Sequence, residues 1–109
     1  MKFEENEYYL QHCKLTDVAD QFGTPLYFYD AEKIISQYRK LKGSFAGVPV
    51  KIKYACKALN NINVLKLLKN EGSGLDAVSI EEVKLGLHVG FKPDDILFTP
   101  NCVSFNEIK

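Results

Sequence analysis

Apolar residues recur along the chain at two spacings, which predict alternating helices and strands. Helical spacing predicts helices at residues 16–22, 31–45, 62–72 and 80–90. Short apolar or aromatic runs predict strands at residues 24–30, 50–56, 75–79 and 94–99. Three of the helices carry an apolar stripe that we expect to face a core: Ile34, Tyr38 and Leu41; Val64, Leu65 and Leu68; Ile80, Val83 and Leu87.

Short polar side chains stand where these helices should begin. The expected N-caps are Thr16, Asp30, Asn61 and Ser79. Gly23 is expected to end the first helix, because glycine readily adopts the conformation that follows a last turn. The "SFNE" at residues 104–107 has the pattern of a capping box and therefore announces a further helix, and we expect the chain to be a fragment of a longer protein.

The alternation of strands and helices indicates a parallel sheet covered by helices, an α/β fold. Two architectures have this order, an open doubly wound sheet and part of a (β/α)₈ barrel. Neither G-x-G-x-x-G nor G-x-x-x-x-G-K-[ST] follows a strand, which disfavours the nucleotide-binding sheets. A full barrel needs about 250 residues. A fragment with three of its strands would have unpaired edges, so we expect it to be inactive alone.

Charge and composition exclude several classes of function. The 14 basic and 14 acidic residues cancel, so the chain has no electrostatic footprint for nucleic acid. No apolar run approaches the roughly 18 residues of a membrane helix, and the polar, acidic N-terminus is unlike a signal peptide. The 3 cysteines are far apart and form no CxxC pair, which predicts reduced thiols in a cytoplasmic protein and no metal site.

Lys57 is the candidate catalytic residue, because it follows the strand predicted at 50–56. Side chains alternate across a strand, which gives one set facing the helices, Val50, Ile52, Tyr54 and Cys56, and one set facing away, Lys51, Lys53, Ala55 and Lys57. In a barrel the second set points inward, with Lys57 at the carboxyl-end mouth where active sites lie. Partial removal from water there would favour the neutral amine that attacks a carbonyl. The alternative is a solvated lysine at a strand end, and Lys53, which should lie deeper, needs a partner for its charge.

The segment "YACKALNNINVLKLL" resembles the "YAxKAN…N…VL" segment of the pyridoxal-phosphate decarboxylases with an alanine-racemase-like (fold type III) barrel. Together with "FGTPLYFYD" and "GSGLDAVSIEEVKLGLHVGFKPDDILFTPN", it is similar to the diaminopimelate decarboxylase family within that group. The resemblance runs from about residue 8 to 109. Two departures are Leu59, where the family has asparagine, and "FTPNCVS", where it has "F.GN.KS".

The resemblance implies a fold and a reaction. Residues 30–109 would be the first three β/α units of a TIM-type barrel, and residues 1–29 would lead into it and join a separate β domain. Lys57 would hold the cofactor, pyridoxal 5'-phosphate, covalently. The reaction would be decarboxylation of meso-2,6-diaminopimelate to L-lysine, the last step of lysine biosynthesis, in a cytoplasmic homodimer whose partner subunit completes the site.

The resemblance also suggests roles for two acids. Asp76 would lie beside the cofactor and Lys57; its structural alternative is a carboxylate that caps the next turn. Glu82 matches a further acid of the group, although its place in the first turn of a helix explains a glutamate without any catalytic role. Other functions stay open: a sister decarboxylase acting on ornithine, arginine or carboxynorspermidine, a non-catalytic regulator on the same barrel, or a stand-alone α/β binding module.

Overall fold

The computed structural model describes all residues, Met1–Lys109, and the chain forms two compact units, Met1–Glu32 and Lys33–Lys109. In the first unit three short antiparallel strands are followed by a helix: β1 (Lys2–Glu4), β2 (Glu7–Leu10), β3 (Cys13–Lys14) and α1 (Leu15–Phe22). Glu5 and Asn6 connect β1 to β2 with φ of 49° and 65°, the left-handed conformations of a tight hairpin turn.

Two predictions for this first unit are wrong and one is confirmed. Thr16 does not cap α1, because the helix begins one residue earlier and the Thr16 hydroxyl instead donates to Glu7 Oε2 at 3.2 Å. Residues 24–30 form no strand, since no strand of the chain pairs with them and Tyr27 is 87% exposed. An apolar run can show that a segment suits a sheet but not that a partner strand is present. Gly23 ends α1 at φ 82°, as expected.

The second unit is built on a parallel sheet with connecting helices. Its elements are α2 (Ala31–Gly43, which begins at the end of the first unit), β4 (Lys53–Ala55), α3 (Ile62–Asn70), β5 (Gly74–Ala77), α4 (Ile80–Val89), β6 (Ile96–Phe98) and α5 (Phe105–Ile108). The strand order is β4-β5-β6, and both neighbouring pairs are parallel. The β-α-β-α-β alternation is therefore confirmed. No helix in the chain has both the length and the apolar character needed to cross a lipid bilayer.

Side-chain caps begin α3, α4 and α5 where the sequence predicts them. Asn61 accepts hydrogen bonds from the backbone N–H groups of Asn63 and Val64 at 2.9 and 3.4 Å. Ser79 accepts from Glu82 N at 3.2 Å, and Ser104 accepts from Glu107 N at 3.3 Å. These bonds satisfy backbone donors that the first turn of a helix leaves free. The first residues of these three helices are therefore set by hydrogen bonds to side chains nearby in the sequence.

Two apolar clusters cover the helix side of the sheet. One joins Tyr38 of α2 to Val64 and Leu68 of α3, and the other comprises Cys56, Leu65, Leu75, Val89 and Phe91. Two residues expected to face inward are largely exposed, Leu41 at 48% and Leu87 at 46%. For α4 the cause is Gly86, where an added Cβ would stand 2.5 Å from Leu75 Cδ2. The helix therefore approaches β5 through Gly86, which turns Leu87 toward solvent.

Candidate active site

The register of the sheet places Asp76 beside Ala55, the last residue of β4 before the turn that holds Lys57. Ala55 stands opposite Asp76, and Asp76 stands opposite Leu97. On the other face Tyr54 packs in the core beside Cys56, which is fully buried. The predicted alternation along the first strand is therefore confirmed. The strand is shorter than expected, because residues 50–52 lie outside it and Cys56–Ala58 form a 3₁₀ turn.

At the amino end of the sheet, two lysines converge on Asp95. Lys51 forms an ion pair with the Asp95 carboxylate, and this hydrogen bond holds the pKa of that carboxyl below its usual value. Lys53 is half-buried, and its Nζ donates to the Asp95 carbonyl oxygen at 3.0 Å. Asp95 thus provides a partner for the exposed lysine, Lys51, and for the half-buried one, Lys53. The ammonium of Lys53, which needed a partner, therefore donates to a carbonyl oxygen of the residue just before β6.

Gly74 makes room for the Lys53 side chain. A Cβ at this position would lie 2.6 Å from the Asp95 carbonyl oxygen and 2.9 Å from Lys53 Cγ. Lys53 and Gly74 stand opposite each other on adjacent strands, so the lysine stem passes over the glycine to reach Asp95. A larger residue at 74 would disrupt this contact between three strands.

At the carboxyl end of the sheet, Lys57 follows β4 within the 3₁₀ turn. Its side chain makes no hydrogen bond or ion pair with any other residue of the chain. Lys57 is exposed in this chain, as the alternative of a solvated lysine at a strand end expects; its partial withdrawal from water in a closed barrel stays a prediction. Three strands supply one wall beside it and cannot enclose it. The strand end positions the Lys57 amine, which has no hydrogen-bond or ion-pair partner in the chain.

Asp76 lies on β5, next to the strand that leads to Lys57. It is half-buried, and its Oδ1 accepts a hydrogen bond from Thr99 Oγ1 at 2.6 Å. The turn that follows is bonded by other groups, so Asp76 does not act as the cap that was its structural alternative. Glu82 Oε2 accepts from Val78 N at 2.8 Å while Ser79 caps the helix. Glu82 therefore has a structural role at this turn, whereas the Asp76 carboxylate is held by a side chain of the next strand.

Cys56 precedes Lys57 in sequence but is not a candidate nucleophile. Burial, and to a smaller extent the Glu82 carboxylate, raise the pKa of its thiol and so favour the neutral form. Cys13 and Cys102 are exposed free thiols, and no three His, Cys, Asp or Glu side chains of the chain are grouped as metal ligands would be. Lys57, Asp76 and Thr99 are polar groups at the carboxyl end of the sheet, where a ligand could be bound.

Sequence reasoning missed Thr99 and Gly74. Both act across strands, Thr99 through Asp76 and Gly74 through Lys53 and Asp95. The available signal was strand parity, because Thr99 stands two residues after Leu97 and so shares its face. Gly74 at the start of a predicted strand was a weaker signal for close approach of a neighbouring side chain.

Residues 31–109 match the model of a protein family described as pyridoxal-dependent decarboxylase, pyridoxal binding domain. A curated relative, diaminopimelate decarboxylase of Methanothermobacter thermautotrophicus, is 44% identical over 95 residues. That alignment covers 85% of this chain and 22% of the relative, so the chain spans about a fifth of the relative's length.

Solved structures with the same fold include two decarboxylases. The Helicobacter pylori diaminopimelate decarboxylase complexed with L-lysine has a TM-score of 0.81 and 37% identity, over 86% of this chain and 24% of that one. The Vibrio vulnificus lysine/ornithine decarboxylase complexed with putrescine has a TM-score of 0.79 and 31% identity, over 86% and 25%. The predicted fold class, a portion of a (β/α)₈ barrel, is confirmed by this likeness, as is the resemblance to fold type III decarboxylases.

Proposed function

Since this chain belongs to the pyridoxal-dependent decarboxylase family, we propose that it is the N-terminal part of a diaminopimelate decarboxylase. The reaction is the loss of carbon dioxide from meso-2,6-diaminopimelate to give L-lysine. The 44% identity to the Methanothermobacter thermautotrophicus enzyme and the likeness to a Helicobacter pylori enzyme with lysine bound support this substrate. The remaining length of those relatives is where the other binding residues of the site are expected.

The observation that carries the proposal is the unpartnered amine of Lys57 at the carboxyl end of β4. A lysine engaged in an ion pair or hydrogen bond must give up that contact before it reacts, whereas the Lys57 side chain has no such contact to break before it condenses with the aldehyde of pyridoxal phosphate. Lys51 and Lys53 are engaged with Asp95 at the other end of the sheet. Of the three lysines Lys51, Lys53 and Lys57, Lys57 is therefore the one that is free to hold the cofactor.

Pyridoxal phosphate, when bound, supplies a ring that accepts the electron pair left on the substrate carbon as carbon dioxide leaves. The residues of this chain provide attachment and orientation. Lys57 holds the cofactor, and Asp76 lies on the adjacent strand, level with Ala55. We assign Asp76 a place beside the cofactor, where its carboxylate orients the amine and the ring.

The organisation of the whole enzyme is part of the proposal. Residues 1–29 join a β domain that lies outside the barrel, and the active form is a cytoplasmic homodimer. The aromatic run at residues 26–29 supports the first point, since it has no partner strand in the chain and Tyr27 is 87% exposed. Such an aromatic run is suited to pairing with a further strand.

A second candidate is a sister decarboxylase for ornithine or a related basic amino acid. The likeness to the Vibrio vulnificus lysine/ornithine decarboxylase, at 31% identity, favours it. Carbon dioxide release from diaminopimelate, ornithine, arginine and carboxynorspermidine by the full-length enzyme separates the two. The proposal expects diaminopimelate to be the preferred substrate, and preference for another substrate would select the alternative.

Attachment of the cofactor is tested separately from substrate choice. The full-length enzyme is incubated with pyridoxal phosphate, reduced with borohydride and mapped by peptide mass. The expected result is a pyridoxyl label on Lys57, and the Lys57→Ala variant should carry none. Lys53→Met is the matched control and should label as the unsubstituted enzyme does, because Lys53 is engaged with Asp95. A label on Lys53 would contradict both the strand register and the proposal.

A further inference from the structure

Thr99 is tied to the end of β5 by two hydrogen bonds. Its backbone N–H donates to the Ala77 carbonyl oxygen at 2.8 Å, which extends the pairing of β5 and β6 by one residue. Its hydroxyl donates to Asp76 Oδ1 at 2.6 Å. The two acceptors are consecutive residues of β5. The Thr99 side chain is therefore placed by the backbone of the sheet and not by a loop.

This arrangement restrains the Asp76 carboxylate. Threonine is branched at Cβ and has few χ1 options, so a fixed backbone leaves its hydroxyl little freedom. A hydroxyl-to-carboxylate bond of this length is in the range of the charge-assisted bonds, which are stronger than neutral ones. With Oδ1 engaged, Oδ2 accepts no hydrogen bond within the chain. One carboxylate oxygen is anchored and the other is free for a ligand.

We propose that Thr99 is a positioning residue that anchors Asp76 through Oδ1 and so presents Oδ2 to the cofactor-bearing amine of Lys57. The inference rests on the proposed function, because it assumes that Asp76 acts beside the cofactor. It adds that the orientation of Asp76 is set from the third strand. The alternative is that the Thr99 hydroxyl only completes the hydrogen bonding of a strand end.

A double-mutant cycle in the full-length enzyme tests the inference. Asp76→Asn should lower kcat at least about tenfold, and Thr99→Val, which keeps the shape but removes the hydroxyl, should lower kcat about fivefold with little change in KM. In the Asp76→Asn background, Thr99→Val should change kcat less than about twofold, because residues that act through one contact are not additive. Thr99→Ser keeps the hydroxyl and should restore most of the activity lost in Thr99→Val.

A readout independent of turnover is the circular dichroism of the bound cofactor in its visible absorption band, which reports the orientation of the ring. Thr99→Val should alter this signal, while Thr99→Ser should leave it close to that of the unsubstituted enzyme. An unchanged band in Thr99→Val, or effects of the two substitutions that multiply, would overturn the inference.

The outcomes also separate the inference from the proposed function. Full turnover in Asp76→Asn with Lys57 still labelled by borohydride would overturn the role of Thr99 and leave the decarboxylase proposal standing. Absence of the label from Lys57 in the unsubstituted enzyme would overturn the decarboxylase proposal itself.

Discussion

At the amino end of the parallel sheet, Lys51 and Lys53 both reach Asp95, whereas at the carboxyl end Lys57 reaches no residue of the chain. All three lysines lie within seven residues: Lys51 precedes β4, Lys53 is its first residue, and Lys57 lies in the 3₁₀ turn that follows it. Their surroundings differ because Asp95, just before β6, supplies a carboxylate and a carbonyl oxygen at one end. At the other end the Asp76 carboxylate is hydrogen-bonded by Thr99 and not by Lys57. The same residue type is thus structural at one end of the sheet and chemically available at the other.

The largest expected effect comes from removing the lysine at each end of the sheet in turn. In the full-length enzyme Lys57→Ala should lower kcat by at least about a hundredfold, because the covalent link to the cofactor is lost, while leaving the unfolding temperature nearly unchanged. Lys53→Met should do the opposite, with kcat within about twofold and about 1 kcal/mol lost from the free energy of unfolding with its hydrogen bond. Steady-state kinetics and thermal unfolding of both variants give the comparison. Equal losses of activity in the two variants would contradict the assignment of Lys57 to catalysis and of Lys53 to stability.

A smaller effect, on stability alone, is expected at Gly74. Gly74→Ala places a Cβ 2.6 Å from the Asp95 carbonyl oxygen, a backbone atom that cannot rotate away. We expect a loss of about 2 kcal/mol in the free energy of unfolding, typical of overpacking. Gly43→Ala is the matched control, since an added Cβ there meets no atom within 4 Å and the residue lies in a helix. If both variants unfold at the same temperature, the close contact of Lys53, Gly74 and Asp95 does not exist in the folded enzyme.

The smallest effect concerns pH. The hydrogen bond from Lys51 holds the pKa of Asp95 below its usual value of 3.8, so the folded state binds a proton less readily than the unfolded state. The pair therefore contributes stability above about pH 4, and the contribution is lost as the pH falls through the lowered pKa. Lys51→Met should unfold at a lower temperature than the unsubstituted enzyme at pH 6, and the gap should close toward pH 3.

The control for this pH dependence is Lys66→Met. Lys66 is an exposed lysine of α3 and makes no hydrogen bond or ion pair in the chain. Its removal should shift the unfolding temperature little, and by the same amount at both pH values. A gap for Lys51→Met that does not narrow in acid would show that Asp95 is not the group responsible.

Sequence patterns predicted the features that depend on neighbours in the chain. Asn61 and Ser79 cap their helices because a cap needs only the next three residues. The inward and outward sides of β4 follow from its period of two. Residues 24–30 and Leu87 were predicted wrongly, because one depends on a partner strand and the other on how Gly86 brings α4 against the sheet. Those relations are set by distant residues.

The residues of the candidate site also separate into those that the sequence predicted and those that depend on distant residues. Lys57 could be chosen from its strand-end position, and both Lys57 and Asp76 from the resemblance to known decarboxylases. Thr99 could not, because its bond to Asp76 requires the register of β5 against β6 and a shift by one residue would turn the hydroxyl to the helix side. For Lys57 the sequence left a solvated and an enclosed lysine open, since parity places a side chain on a face but does not show how much of that face is covered.

The register of the parallel sheet has a consequence for folding kinetics. Lys53 pairs with Gly74 and Leu75 with Ile96, so each strand meets a partner 21 positions along the chain. The entropy of closing a loop depends on its length, and the two closures are therefore of equal cost. Within these three strands, each strand pairs only with its nearest neighbours in sequence, which keeps the contact order of this sheet lower than pairing with more distant strands would. Each β/α unit can dock on the one before it as soon as it has been synthesised.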